Sequence, residues 1–148
     1  MRALDWPPVW LVLFMAMAWL LAVMIPGWTI QFPGQVWVST AVAGLGIIVM
    51  LLAVAQMLGA RTTVIPRRQP NHLVKSGVFS ITRNPIYLGD ALVLTGFVLW
   101  LGAVAAVPLI VAFVFLITRR FILSEEAWIQ SVFGDEFDDW AKKTRRWL

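Results

Sequence analysis

Between Ile86 and Thr118 the chain reads IYLGDALVLTGFVLWLGAVAAVPLIVAFVFLIT, with Asp90 as its one charged residue. As a single helix this stretch would be about 50 Å long at 1.5 Å per residue, whereas the hydrocarbon core of a bilayer is about 30 Å thick. It therefore divides into two short spans, about 86–101 and 103–118, turning near Trp100-Leu101-Gly102. Spans this short call for some bilayer thinning or for helix continuing into the interface. Pro108 predicts a bend in the second of them. Gly89 and Gly96 are seven residues apart and share a helix face.

Two further apolar runs precede this pair. Val36 to Leu58 is uncharged and long enough to span, at about 36–58. Ser39 with Ala43, and Ala41 with Gly44, place small residues on helical stripes that let helices approach closely. Val9 to Ile25 gives a first span, about 9–25, bounded by Pro7-Pro8 and Pro26-Gly27. Its length and the lack of a small-residue cleavage site after it argue against a signal peptide.

The composition agrees: 60% of residues are hydrophobic and 14% charged, far from the balance of a soluble domain. Charge placement sets the topology. All twelve Lys and Arg lie at the N-terminus, in the 59–84 segment, or after Thr118. With four spans these regions share one side, which the positive-inside rule makes cytoplasmic. The expected fold is all-α: a polytopic integral membrane protein, one domain over 1–148, with four transmembrane helices and amphipathic C-terminal helices. Residues 59–84 and 119–148 are then cytoplasmic segments and both termini are cytoplasmic, in the inner or plasma membrane if the source is bacterial.

In the tail, Ser124 is placed to cap a helix starting at Glu125-Glu126, and Gly134 to end it. A second short helix comes next, with Phe137, Trp140 and Trp147 roughly on one side, a pattern that predicts a helix resting at the membrane interface. The absence of cysteine and the single histidine, His72, argue against disulfide, thiolate and metal-site chemistry within this chain. The basic residues flank apolar spans, so the partners they imply are membrane lipids, and nucleic acid is not expected.

Two groups of polar residues should meet at the cytoplasmic ends of the third and fourth spans. One is Arg83-Asn84-Pro85-Ile86-Tyr87-Leu88-Gly89-Asp90. The other is Arg119-Arg120 followed by Glu125-Glu126. Either group alone also reads as helix start, cap and topology signal. Together they would make a pocket of arginines, carboxylates and a tyrosine. Carboxylates accept from amines or ribose hydroxyls, and arginine grips a carboxylate in a planar fork. S-adenosylmethionine carries all of these groups, as do other metabolites. Asp90 lies several residues inside a span, where a carboxylate is a functional candidate by default. His72 reads as a loop residue beside this region.

At these residues the sequence resembles the bacterial branch of the isoprenylcysteine carboxyl methyltransferase family, related to the phospholipid N-methyltransferases. The resemblance covers roughly residues 58–148. It rests on Gly59-Ala60-Arg61-Thr62-Thr63-Val64 with Pro66, on Leu73-Val74-Lys75-Ser76-Gly77-Val78-Phe79, and on Arg83-Asn84-Pro85-Ile86-Tyr87-Leu88-Gly89. Arg120-Phe121, Glu125-Glu126, Phe133-Gly134 and Arg145-Arg146-Trp147-Leu148 complete it. Better-known members have histidine where this chain has Asn84, and tyrosines in the stretch holding Phe137 and Trp140.

The resemblance implies a membrane-embedded methyltransferase with S-adenosylmethionine as donor and a lipophilic small molecule, lipid or lipidated group as acceptor. Carried over by motif, His72, Leu73, Val74, Gly77, Asn84, Pro85, Tyr87, Glu125 and Glu126 would contact the cofactor. Arg83 and Arg120 would orient and stabilise the acceptor. Asp90, Glu125 or Glu126 would take a proton from an amine or hydroxyl acceptor. Two other classes stay open on the residues alone, a small four-helix transporter and a non-catalytic membrane subunit.

Overall fold

The structure is a computed structural model and describes residues 6–61 and 72–148. Thr62, Thr63, Val64 and Pro66 of the family-like segments, and the basic residues Arg2, Arg67 and Arg68, lie outside the described residues. The described chain is helical, with no strand beyond two isolated bridges. Its helices are α1 (Pro7–Met24), α2 (Gln35–Gly59), α3 (Pro85–Leu101), α4 (Val107–Ile117), α5 (Leu123–Phe133) and α6 (Asp135–Lys143).

Proline and glycine mark most of the boundaries. Pro7 and Pro85 occupy the first turns of α1 and α3, where a missing N–H costs nothing. Gly102, with φ +64°, ends α3 in the left-handed conformation. Pro108 also stands in a first turn, that of α4. It therefore starts a helix and does not bend one, which corrects the expectation of a kinked span.

The fourth apolar stretch does not stop at Thr118. A π-helical turn over Thr118–Ile122 joins α4 to α5, so that helix runs from Val104 to Phe133. Ser124 is thus inside a rod and caps nothing; its hydroxyl donates to the Phe121 carbonyl at 2.8 Å. A serine mid-helix satisfies itself in this way when tertiary packing carries the helix past it. Gly134 does end α5, with φ +51°.

Among the described residues, three helices are long and apolar enough to cross a membrane: Pro7–Met24, Gln35–Gly59 and Val104–Phe133. α3 is apolar but has 17 residues. Outward faces carry Leu13, Met17, Leu20, Ile48, Leu51 and Phe115, all exposed in the bare protein. That is the surface expected of helices whose solvent is lipid.

The closest packing is between α2 and α3. A Cβ built on Gly96 would lie 2.8 Å from the Ser39 carbonyl and from the Ala43 side chain. One built on Gly46 would lie 2.6 Å from the Gly89 carbonyl. The Ser39 and Ala43 stripe and the Gly89 and Gly96 face are therefore two sides of one seam. Ala41 and Gly44 are not part of it, since space around Gly44 is open.

On the other side of α3, Tyr87, Ala91, Leu94 and Val98 pack with Phe14 and Ala18 of α1, Phe113 and Ile117 of α4, and Phe121 and Ile122 of the π turn. A second cluster joins Ala53 of α2 to Phe79, Phe137 and Trp140. The Trp140 indole donates to the Phe79 carbonyl at 3.1 Å. The apolar face of α6 is therefore turned into the protein and not toward a membrane interface. Trp147 packs against the first cluster instead.

The two ends of the bundle differ. At one, the backbone of Ile30 donates to the Gly102 carbonyl, and Gln35 donates to the Leu99 and Trp100 carbonyls at 2.8 and 3.0 Å. No charged residue takes part in these bonds. At the other end stand the start of α3, the π turn, α5 and the chain's last residues.

Candidate active site

This second end is built on the Arg83-Asn84-Pro85 entry to α3. Thr82 and Arg83 pair with the C-terminal strap in a parallel bridge, Thr82 to Arg145, with the Arg83 N–H donating to the Arg145 carbonyl at 2.9 Å. The Thr82 hydroxyl and the Asn84 amide both donate to the Arg146 carbonyl, at 3.2 and 3.1 Å. The strap is held further along by the Trp147 indole, which donates to the Thr118 hydroxyl at 3.1 Å.

Glu126 is the centre of the ionic cluster. Arg83 Nε donates to its Oε1 at 3.1 Å and Arg83 Nη2 to its Oε2 at 3.4 Å. Arg146 Nη2 donates to Oε2 at 2.7 Å, with Arg146 Nε at 3.1–3.2 Å from both oxygens. Asn84 Nδ2 adds a longer contact at 3.4 Å. The Glu126 and Arg83 side chains are each 12% exposed and Arg146 is 37% exposed. Arg83 Nη1 is also spent, on the Ala141 and Thr144 carbonyls at 2.9 and 3.2 Å. The hydrogen bond to Glu126 raises the Arg146 guanidinium above its ordinary range, against the opposing effect of burial.

One residue earlier on α5, Glu125 accepts the Tyr87 hydroxyl at 2.8 Å. The Tyr87 ring is buried and sits 6.5 Å from that of Phe121. The π turn carries Arg119 over Phe115 at 5.4 Å and Arg120 over Trp10 of α1 at 5.5 Å. A π turn takes one residue more than an α turn and so rotates the residues after it by about 100°, and such turns are frequent at functional sites. Here it carries the two arginines, with Glu125 and Glu126 following in the first turn of α5. Asp90, one turn beyond Tyr87, is 5% exposed and has no hydrogen-bond or ion-pair partner among the described residues.

The expected meeting of the two polar groups is thus what the structure contains: Arg83, Asn84 and Tyr87 contact Glu125 or Glu126 directly, and Pro85 is buried between Asn84 and Tyr87 at the start of α3. The 72–77 segment lies apart from this cluster. His72 is exposed, Leu73 and Val74 pack on the Phe79, Phe137 and Trp140 cluster, and Lys75 pairs with Glu136 at 2.7 Å. Gly77 has φ +59°, and a Cβ there would strike the Gln56 side chain. None of these residues hydrogen-bonds the ionic cluster among the described residues.

Sequence reasoning missed Trp10, Thr82, Thr144 and Arg146 as members of the site. The signal for Arg146 was present. Two adjacent glutamates near several arginines must be shared out, and Arg146 stands in the family-like ending without a role assigned to it. Trp10 carried none, because the first span reads only as hydrophobic.

The fold and this cluster define a helical membrane protein with a charged site at one bundle end. Residues 34–136 match the family described as phospholipid methyltransferase. The chain belongs to the phospholipid methyltransferase family, a family of membrane methyltransferases related to the isoprenylcysteine enzymes. A Haemophilus influenzae protein described as uncharacterized is 38% identical over 63 residues, 43% of this chain and the whole of that protein. No solved structure matches.

Proposed function

We propose that the protein transfers a methyl group from S-adenosylmethionine to a lipophilic acceptor at the cytoplasmic face of the membrane. In this proposal α1, α2, α3 and the Val104–Phe133 helix are four spans, both termini are cytoplasmic, and the acceptor enters from the lipid. The supporting observation is the convergence of Arg83, Asn84 and Tyr87 with Glu125 and Glu126 at one end of the bundle, within a methyltransferase family.

The donor set suits the cofactor. Its amine and ribose hydroxyls call for carboxylates, its carboxylate calls for a guanidinium, and its rings call for aromatic faces. Glu125, Arg120, Arg146 and Tyr87 supply these types, while Glu126 holds Arg146 in place. S-adenosylmethionine would bring an already activated methyl group, so the protein's work is alignment and exclusion of water. Alignment of this kind contributes on the order of 7–11 kcal/mol.

Within the cluster Tyr87 fixes the Glu125 carboxylate, and Arg83 fixes Glu126. The Arg83 guanidinium spends its donors on Glu126 and two carbonyls, so its role is to position. Arg120, exposed on the π turn and stacked on Trp10, is the arginine on the lipid-facing approach that would meet the acceptor. Its planar charge suits an acidic acceptor such as an isoprenylcysteine carboxylate or the phosphate of a lipid. With an amine or hydroxyl acceptor the proton would pass to Asp90 or Glu125.

Asp90 also favours a second reading, a small transporter, because a buried unpartnered carboxylate in an apolar helix is a common mark of an ion path. Its place as the sixth residue of α3, one turn after Tyr87, ties it to the site instead. The deciding experiment is binding of radiolabelled S-adenosylmethionine to purified protein, followed by label transfer to a panel of prenylated thiols, lipid amines and lipophilic acids. A protein that neither binds the label nor transfers it is not this enzyme.

A further inference from the structure

The ionic cluster contains one arginine whose geometry is not explained by holding the fold together. Glu126 receives donors from Arg83, Asn84 and Arg146 on both oxygens. A carboxylate offers about four lone-pair sites. Glu126 is therefore saturated, and it has no acceptor capacity left for a ligand without losing a protein partner. Arg83 is equally committed, with contacts to Glu126 and two carbonyls and a side chain only 12% exposed.

Arg146 is different. Its Nε and Nη2 are turned to Glu126, while its Nη1 has no partner among the described residues and the side chain is 37% exposed. Its backbone is fixed on both sides: the carbonyl accepts from Thr82 and Asn84, and the next residue, Trp147, is tied to Thr118. A guanidinium held from behind by a carboxylate, on an anchored backbone, presents its remaining N–H edge in a set direction. That Nη1–Nη2 edge can also take a carboxylate in a planar fork, as the Nε–Nη2 edge already does with Glu126. The charge balance agrees, since Arg83 and Arg146 share one glutamate and leave one positive charge for an anionic group to answer. Glu125, next on the same helix and already oriented by Tyr87, offers an acceptor for an ammonium. An oxyanion and an ammonium on neighbouring atoms describe an amino-acid end.

We propose that Arg146 binds the carboxylate of the methyl donor's amino-acid moiety, with Glu126 as its positioning residue. This rests on the donor assignment above. Arg146 lies beyond the 34–136 segment that matches the family, so the assignment adds a donor-binding residue contributed by the C-terminal strap. The same chemistry occurs in the headgroup of a zwitterionic lipid, and the test must separate the two sources.

The experiment uses the full chain in lipid nanodiscs and measures equilibrium binding of S-adenosylmethionine and of decarboxylated S-adenosylmethionine, which lacks only the carboxylate. A second arm measures binding of short-chain phosphatidylethanolamine. Arg146→Gln should weaken S-adenosylmethionine by about tenfold or more, the scale of a charged hydrogen bond, and leave the decarboxylated analogue unchanged. Arg146→Lys keeps the charge, loses the fork and should show the same selectivity to a smaller degree; it carries the test if the glutamine variant does not fold. Glu126→Gln should show that selectivity too, because the fork then loses its support. Equal weakening of both analogues, or no weakening of either, overturns the proposal. A loss confined to the lipid arm overturns it in favour of a headgroup. Failure of wild type to bind either analogue would instead remove the donor assignment on which the proposal rests.

Discussion

The two ends of the helix bundle are closed by different chemistry. At the uncharged end, a loop and a glutamine complete the last carbonyls of α3: Ile30 reaches Gly102, and Gln35 reaches Leu99 and Trp100. These donors each meet a carbonyl, and no charge takes part. At the charged end, Glu126 gathers two arginines and an asparagine, Glu125 holds Tyr87, and Asp90 stays buried without a partner among the described residues. A bundle needs its ends sealed, and neutral amides do that at low cost. Buried charge is an expensive way to obtain the same closure. The excess of charge at one end is therefore the mark of a site, and substitution at the two ends should have different consequences.

The largest effect is expected from Glu126→Gln. It leaves Arg83 and Arg146 facing an amide whose NH2 group opposes them, and removing one partner of a buried pair costs roughly 3–5 kcal/mol. The exposure of Arg146 puts this pair at the lower end, about 3 kcal/mol. Melting in detergent should show that loss, and methyl transfer should fall further than stability does. Unchanged melting would mean that the cluster is as weakly coupled as a surface salt bridge. Next is Gln35→Ala at the other end. Two α3 carbonyls lose their donor at a position 7% exposed. The expected cost is about 2 kcal/mol in stability, with donor binding and turnover as in wild type. A fall in turnover at constant stability would break the distinction between the ends.

Legibility in the sequence divides along the same line. Pro7, Pro85, Gly102 and Gly134 mark helix ends by backbone constraints that need no tertiary context, and the structure places the boundaries at them. The Ser39 and Ala43 stripe and the Gly89 and Gly96 face were each visible as small-residue spacing, but their pairing with one another was not. Ser124 shows the limit. Its local pattern is that of a cap, but burial of Phe121 and Ile122 carries the helix through it by way of the π turn. Phe137 and Trp140 show another, because an amphipathic helix does not announce whether its apolar face meets lipid or protein. For the site, the convergence of Arg83, Asn84, Tyr87, Glu125 and Glu126 was legible from the hairpin. The role of Arg146 was not, since it depends on how many donors one carboxylate receives in three dimensions.

A smaller effect is expected from Tyr87→Phe. The ring stays in place beside Phe121, and the 2.8 Å bond to Glu125 is lost. A half-buried acceptor that loses a donor gives up about 1 kcal/mol, which corresponds to several-fold in donor affinity if Glu125 must be oriented to bind. Melting should shift little. If donor affinity is unchanged while melting falls, Tyr87 is a structural brace and the charged end has a smaller working surface than its contacts suggest.

The smallest effect is expected from Lys142→Gln, and it tests what kind of difference separates the two ends. Lys142 pairs with Asp139 at 3.0 Å on the outer face of α6, both side chains more than 70% exposed. The hydrogen bond between them lowers the Asp139 carboxyl and raises the Lys142 ammonium from their ordinary values. Because the Asp139 pKa is depressed, whatever the pair contributes is present above the ordinary carboxylate range and lost only as the pH falls through the lowered value. At neutral pH both groups are charged, water screens them, and exposed pairs of this kind contribute little. The substitution removes one positive charge from the same end of the molecule without touching Glu126, Arg83 or Arg146. Melting, donor binding and transfer should all match wild type across the neutral range. A drop in donor binding here would mean that the charged end works through its summed field and not through oriented contacts. The effect would then grow as ionic strength is lowered, and the fork geometry at Arg146 would no longer be the reason that end binds its ligand.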